Sequence, residues 1–167
     1  MWYYWGMKIL GIDPGIARCG WAVIEYQKSK FNVLKYGCIE TSPQKDVPTR
    51  LSEIYREVTK IIKVYSPDNL SIEELFFNTN AKTAFVVGQA RGVVLLAASQ
   101  HKLQISIYTP LQVKIALTGY GRAEKEQVGK MVKALLLLKE IPKPDDTADA
   151  LAAAITHAFS SKLSKFK

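Results

Sequence analysis

"MKILGIDPGIARCGWAV", residues 7–23, decides how this chain is read. Met7–Asp13 is an apolar run of strand length that ends on a carboxylate. Pro14 and Gly15 then turn the chain, and a second apolar run starts at Trp21. A charge at the end of a buried strand is costly unless something neutralises it. What offsets Asp13 is therefore the question this stretch poses. Working outward, residues 21–26 and 31–41 read as two further strands joined by the polar turn "QKSK". Three strands in hairpin succession give the sheet an antiparallel start.

Pro48 then opens a helix, since proline suits a first turn. Leu51, Ile54, Tyr55, Val58, Ile61, Ile62 and Tyr65 recur at three and four, the stripe of a core-facing helix, and Ser66-Pro67 stops it. "DNLSIEE" supplies a fourth strand at 69–73. A helix rich in Ala, Val and Gly follows over about 81–100, then a fifth strand at 104–108. From Pro110 to Phe159 the pattern is helical, broken at "TGYGR" and "IPKPDD". Helix crossovers make strands one, four and five parallel. The fold class is α/β: a mixed five-stranded sheet, three antiparallel strands and then parallel additions, flanked by helices.

The chain's 167 residues suit one domain with a real core. "MWYYWG" at 1–6 precedes a second methionine and is read as an extra leader, disordered or the product of an early start. Residues 7–160 form the domain, and 161–167 a basic tail. No apolar stretch approaches the roughly 18 residues of a membrane span, and no signal peptide is visible. Two cysteines without a CxxC pattern and two distant histidines argue against zinc and for a cytoplasmic chain. Lys and Arg outnumber Asp and Glu by 23 to 15, a net charge of +8. Residues 101–143 alone hold eight Lys or Arg against three Glu. Such a surface favours a polyanion, and without a basic amphipathic helix nucleic acid leads membrane.

Four acids carry the chemistry. Asp13 ends the first strand and Glu73 the fourth, and ligands of such sheets gather at the carboxyl ends of parallel strands. In "PDDTADALAAAITHAF" Asp145 is an expected N-cap, while Asp146 and Asp149 lie three apart on one face of the first turn. If that turn rests over the strand ends, four carboxylates converge, and four unprotonated carboxylates need cations. Oxygen-only ligands favour Mg²⁺ or Mn²⁺. Two such ions about 4 Å apart activate a water and stabilise the leaving oxygen of a phosphodiester. Each acid also has an ordinary reading: macrodipole partners for Asp146 and Asp149, a turn residue for Asp13, a solvated strand end for Glu73. His157 lies two turns from Asp149 and reads as structural.

"GIDPG" with Asp13, "SIEELFF" with Glu73, "GQARGV" at 88–93, "AEKEQV" at 123–128 and "DDTADALAAAITHAF" at 145–159 resemble the RuvC family of Holliday junction resolvases. The match runs in order over about 7–160. The first motif alone is shared with sugar kinases and actin-like ATPases; the five together are specific. The resemblance implies an RNase H-like fold and a homodimer that acts on four-way DNA junctions. Each subunit would nick one of two strands of like polarity, leaving 5′-phosphate and 3′-hydroxyl ends, in DNA recombination and repair. It implies Asp13, Glu73, Asp146 and Asp149 as catalytic and metal-binding acids, with two Mg²⁺ per site and Mn²⁺ able to substitute. Some relatives carry His where Asp146 stands. RuvA and RuvB are the implied protein partners.

The resemblance also places Lys114 and Lys125 near the scissile strand and Phe76 against bases unpaired at the crossover. Stacking of that kind is worth about 1–3 kcal/mol per base. Phe76 and its neighbour Phe77 each also suit a core position. Arg122, on the Gly-flexed "GYGR" loop, is a further DNA-binding candidate. Ala84, Gly88 and Gly92 recur every four residues, and helical glycine costs roughly 1 kcal/mol against alanine. Close approach of another helix, from this chain or a second copy, would offset that cost. Rival readings are an actin-like phosphotransferase, which needs a second lobe, a non-catalytic junction-binding module, and a nuclease for another substrate such as an RNA:DNA hybrid.

Overall fold

A computed structural model describes residues 6–75 and 81–164, with 81–83 and 162–164 described by backbone alone. Phe76 and Phe77, most of the leader and the end of the tail lie outside the described residues. The elements are β1 (Met7–Asp13), β2 (Arg18–Gln27), β3 (Lys30–Glu40), α1 (Val47–Tyr65), β4 (Asn69–Glu73), α2 (Ala81–Gln100), β5 (Gln104–Tyr108), α3 (Pro110–Thr118), α4 (Lys125–Leu135) and α5 (Asp145–Ser164). They form one five-stranded sheet in the order β3-β2-β1-β4-β5. β1 pairs antiparallel with β2 and parallel with β4, and β5 adds parallel to β4. The expected mixed sheet is therefore present.

β1 lies at the centre because its middle, Ile9–Ile12, is apolar and both its faces are covered. Ile9 faces a core built from α3, α4 and α5; Leu10 and Ile12 face a second core built from α1 and α2. The α1 boundaries have local causes. The Asp46 carboxylate accepts from the Thr49 N–H at 2.9 Å, Pro48 fits the first turn, and Ser66 leaves the helix in the left-handed region at φ 48°. β2 begins at Arg18, three residues before the expected start. The hairpin continues past the apolar run, pairing Asp13 with Gly20 and Arg18 with Glu40.

The placement of α5 matters most for function. A row of small residues, Ala22, Gly11, Ser71 and Ser106, crosses β2, β1, β4 and β5 in register. The helix backbone lies in that trough. A Cβ on Gly11 would stand 2.1 Å from the Ala150 carbonyl oxygen, and one on Gly20 would stand 1.9 Å from that of Asp146. Only glycine permits this approach. The buried Ser71 hydroxyl donates to the Ala153 carbonyl at 2.6 Å, and the Thr147 hydroxyl donates to the Gly37 carbonyl at 3.3 Å. These contacts fix the helix along its axis, with its first turn over the carboxyl end of β1. Asp145 is the first helical residue and not the cap; the Thr147 N–H is satisfied by the Pro144 carbonyl at 2.9 Å. The helix also runs past Phe159, whose ring meets Phe31 edge-on at 5.6 Å.

Candidate active site

Ile12 pairs with Ile72, so the next residues, Asp13 and Glu73, leave the sheet side by side at the ends of β1 and β4. Side chains alternate along a strand. Ile12 and Ile72 point into the α1–α2 core, so Asp13 and Glu73 point to the face that carries α5. There the first turn of α5 presents Asp146 and Asp149. Three elements far apart in sequence, β1, β4 and α5, thus supply the four carboxylates.

The electrostatics show the convergence. Burial, followed by the charges of Asp149, Asp146 and Glu73, pushes the Asp13 carboxyl up to about 7, while Lys125 opposes the shift. Burial and then Asp149 raise Glu73, against the pull of Lys125 and Lys114. Burial raises Asp149 too, although Lys125 hydrogen-bonds it. For Lys125 itself, burial lowers the ammonium, and its bond to Asp149 with the charges of Asp149, Asp145 and Asp13 more than offsets this, so it is raised.

Two cations sit on the acids. Lys125 Nζ lies 2.8 Å from Asp149 Oδ2 and 3.6 Å from Asp145 Oδ2. Arg18 Nη1 lies 3.8 Å from Asp146 Oδ2. The sequence reading missed Arg18 because it began β2 at Trp21; extending the hairpin register back from Trp21 opposite Ile12 would have found it. Among the described residues, no three His, Cys, Asp or Glu side chains are grouped closely enough to hold one ion as they stand. The acids form a coupled charge cluster whose outer members are held by Lys125 and Arg18. The donors nonetheless fit a hard divalent cation: all are carboxylate oxygens, and a carboxyl pushed to about 7 by burial and then by neighbouring carboxylates lacks countercharge.

Two cavities open on the cluster. One of about 210 Å³ is lined by Glu73, Pro110, Lys114, Lys125 and Asp149 among others. Another of about 280 Å³ is lined by Asp13, Pro14, Glu73, Leu75 and Pro110. The larger cavity of about 580 Å³, between α1 and the outer strands at Trp21, Cys38 and Tyr65, includes none of the four acids. Lys114 and Lys125 therefore share a cavity with Glu73 and Asp149. Arg122 and Tyr120 are exposed on the loop between α3 and α4, outside those cavities. His157 is buried, hydrogen-bonded to the Tyr108 hydroxyl at 2.9 Å, and lowered by burial. It ties α5 to β5. Among the described residues the Gly88–Gly92 face has no close neighbour: a Cβ on Gly92 would meet nothing within 4 Å, and one on Gly88 would meet Leu75 at 3.8 Å.

Known proteins share this architecture. A Thermus thermophilus RuvC structure superposes with a TM-score of 0.89 at 39% identity, covering 95% of this chain and 97% of that one. T. thermophilus RuvC in complex with Holliday junction substrate gives 0.87 at 37% identity, covering 94% and 96%. The sheet and its flanking helices are thus an RNase H-like fold. More narrowly, the model of the crossover junction endodeoxyribonuclease RuvC family matches residues 9–157, and the chain belongs to that family. The crossover junction endodeoxyribonuclease RuvC of Alkaliphilus metalliredigens is 57% identical over 154 residues, 92% of this chain and 94% of that protein.

Proposed function

We propose that the chain is an endonuclease that resolves Holliday junctions by nicking two strands of like polarity symmetrically, leaving 5′-phosphate and 3′-hydroxyl ends. The observation that carries the reading is the coupling of Asp13 to Glu73, Asp146 and Asp149, beside cavities walled by Lys114 and Lys125. In this reading the four acids hold two Mg²⁺, for which Mn²⁺ substitutes. Asp13, Glu73, Asp146 and Asp149 would be the residues that hold the ions. When bound, the ions supply an activated water and stabilise the leaving oxygen. The protein's own part is placement. β1 and β4 hold two carboxylates at fixed register, and Gly11 and Gly20 let α5 bring the other two against them. Lys114 and Lys125 set a phosphate in the cavity without reading sequence. Arg122 on the α3–α4 loop and Phe76 contact the junction.

α2 supports a homodimer. Among the described residues a Cβ on Gly92 would meet nothing within 4 Å, and Phe85 and Leu96 on the same helix are 67% and 52% exposed. A second copy would cover this face and match the two-fold symmetry of a four-way junction. Among the described residues no helix is long and apolar enough to cross a membrane, and a cytoplasmic enzyme working with RuvA and RuvB agrees with the family resemblance. The test compares a synthetic four-way junction, a linear duplex and an RNA:DNA hybrid with Mg²⁺, using wild type and Asp13→Asn. Junction-only cutting, abolished by Asp13→Asn with binding retained, is the expected result. Equal cutting of duplex or hybrid, or full cutting by Asp13→Asn, overturns the reading.

A further inference from the structure

Lys125 occupies a particular place. It is the first residue of α4, where the Glu124–Gln127 capping box fixes its backbone. Its ammonium lies 2.8 Å from Asp149 Oδ2, on a carboxylate of the proposed metal site. A second carboxylate, Asp145 Oδ2, lies 3.6 Å away. Asp145 belongs to no part of the proposed metal site and is mostly exposed. It opens on a further cavity, of about 350 Å³, lined by Lys125, Ile141, Lys143, Asp145, Ala148 and Asp149. Lys125 also lines the cavity that holds Glu73 and Lys114, so it stands as the wall between the two spaces.

We infer that Lys125 is a resident countercation of the acid cluster: a divalent ion must displace it from Asp149, and Asp145 receives the displaced ammonium. An ammonium and a divalent ion on one carboxylate repel each other, so the ion is held more tightly once the ammonium has moved away. A long, flexible lysine can leave without backbone change, since its stem carries four rotatable bonds and its head is a point charge. Asp145 lowers the cost of leaving because it is already within reach. This gives Asp145 a role that its place at the helix start does not require. Lys125 is thereby a positioning residue for the metal as well as a neighbour of the substrate. The inference rests on the metal-binding reading proposed above.

The test is Mn²⁺ titration of the DNA-free protein, with free Mn²⁺ followed by electron paramagnetic resonance. Lys125→Met and Lys125→Gln are expected to bind Mn²⁺ about five- to ten-fold more tightly than wild type. Lys114→Met removes the same charge from the same cavity, but among the described residues it breaks no ion pair. Lys114 acts on Glu73 through space without bonding it, so its gain is expected to be about two-fold, clearly smaller than that of the Lys125 variants. Asp145→Asn is expected to weaken Mn²⁺ binding in the wild-type background and to leave it unchanged when Lys125→Met is also present. Equal or weaker binding by both Lys125 variants overturns the inference. So does an equal gain from Lys114→Met, which would mean bulk charge alone, or an Asp145→Asn effect that persists without Lys125. If wild type and variants all fail to bind Mn²⁺, the metal reading itself falls, a result distinct from unchanged affinity.

Discussion

Asp13→Asn tests whether the acid cluster works against the fold. The folded-state pKa of Asp13 is raised from 3.8 to about 7, chiefly by burial and then by Asp149, Asp146 and Glu73. At pH 8 the carboxyl is ionised in both folded and unfolded chains, and the folded state bears the whole penalty of that charge. As pH falls through 7 towards 4, the folded carboxyl takes up its proton first and the penalty disappears. A shift of roughly three pH units sets a ceiling of about 4 kcal/mol, at 1.36 kcal/mol per unit. Asn keeps the shape and removes the charge; partial hydration and relaxation around Asp13 reduce the gain to about 1–3 kcal/mol. For a chain of this length, at about 2–4 °C per kcal/mol, that is a rise in melting temperature of roughly 2–12 °C. The assay is thermal unfolding in EDTA at pH 8 and pH 5. The substitution should stabilise at pH 8, give little at pH 5, and abolish nicking. A lower melting temperature at pH 8, or the same gain at both pH values, would refute the reasoning.

Glu73→Gln and Asp149→Asn should each abolish nicking while junction affinity, read by fluorescence anisotropy, stays within about three-fold of wild type, because neither carboxylate attracts phosphate. Gly20→Ala and Gly11→Ala should each cost about 1–3 kcal/mol in urea unfolding, since the added methyl would stand 1.9 or 2.1 Å from a carbonyl oxygen of α5. Their nicking rate should fall further than stability alone explains, because α5 carries Asp146 and Asp149. Ser71→Ala should cost about 1 kcal/mol by removing the bond to the Ala153 carbonyl, read by the same unfolding measurement.

The architecture was legible where periodicity and punctuation agreed. β4 and β5 fall at the residues read from sequence, and Ser66-Pro67 ends α1 as expected. Asp13 stood out because an apolar strand ending on a carboxylate asks for an explanation, and Glu73 followed as its neighbour from the rule that parallel strand ends meet. Other features were hidden because they depend on register. The Ala22–Gly11–Ser71–Ser106 row is visible only once the strands are aligned, and with it the reason α5 can lie so near the sheet. Arg18 and Asp146 are 128 positions apart, so their pairing needed both the extended hairpin and the seat of the helix. The tie between Lys125 and Asp149 joins two helix starts across a loop that no local pattern orients. Asp145, expected as a cap, became a lysine partner because Pro144 supplies the carbonyl that holds the first turn.

The most direct measurement is the mapping of cut sites on a synthetic four-way junction with Mg²⁺ against EDTA, alongside a linear duplex of the same sequence. Paired nicks on two strands of like polarity, on the junction only and only with the divalent ion, are the result this account requires. Cutting that persists in EDTA, or that treats duplex and junction alike, would contradict it.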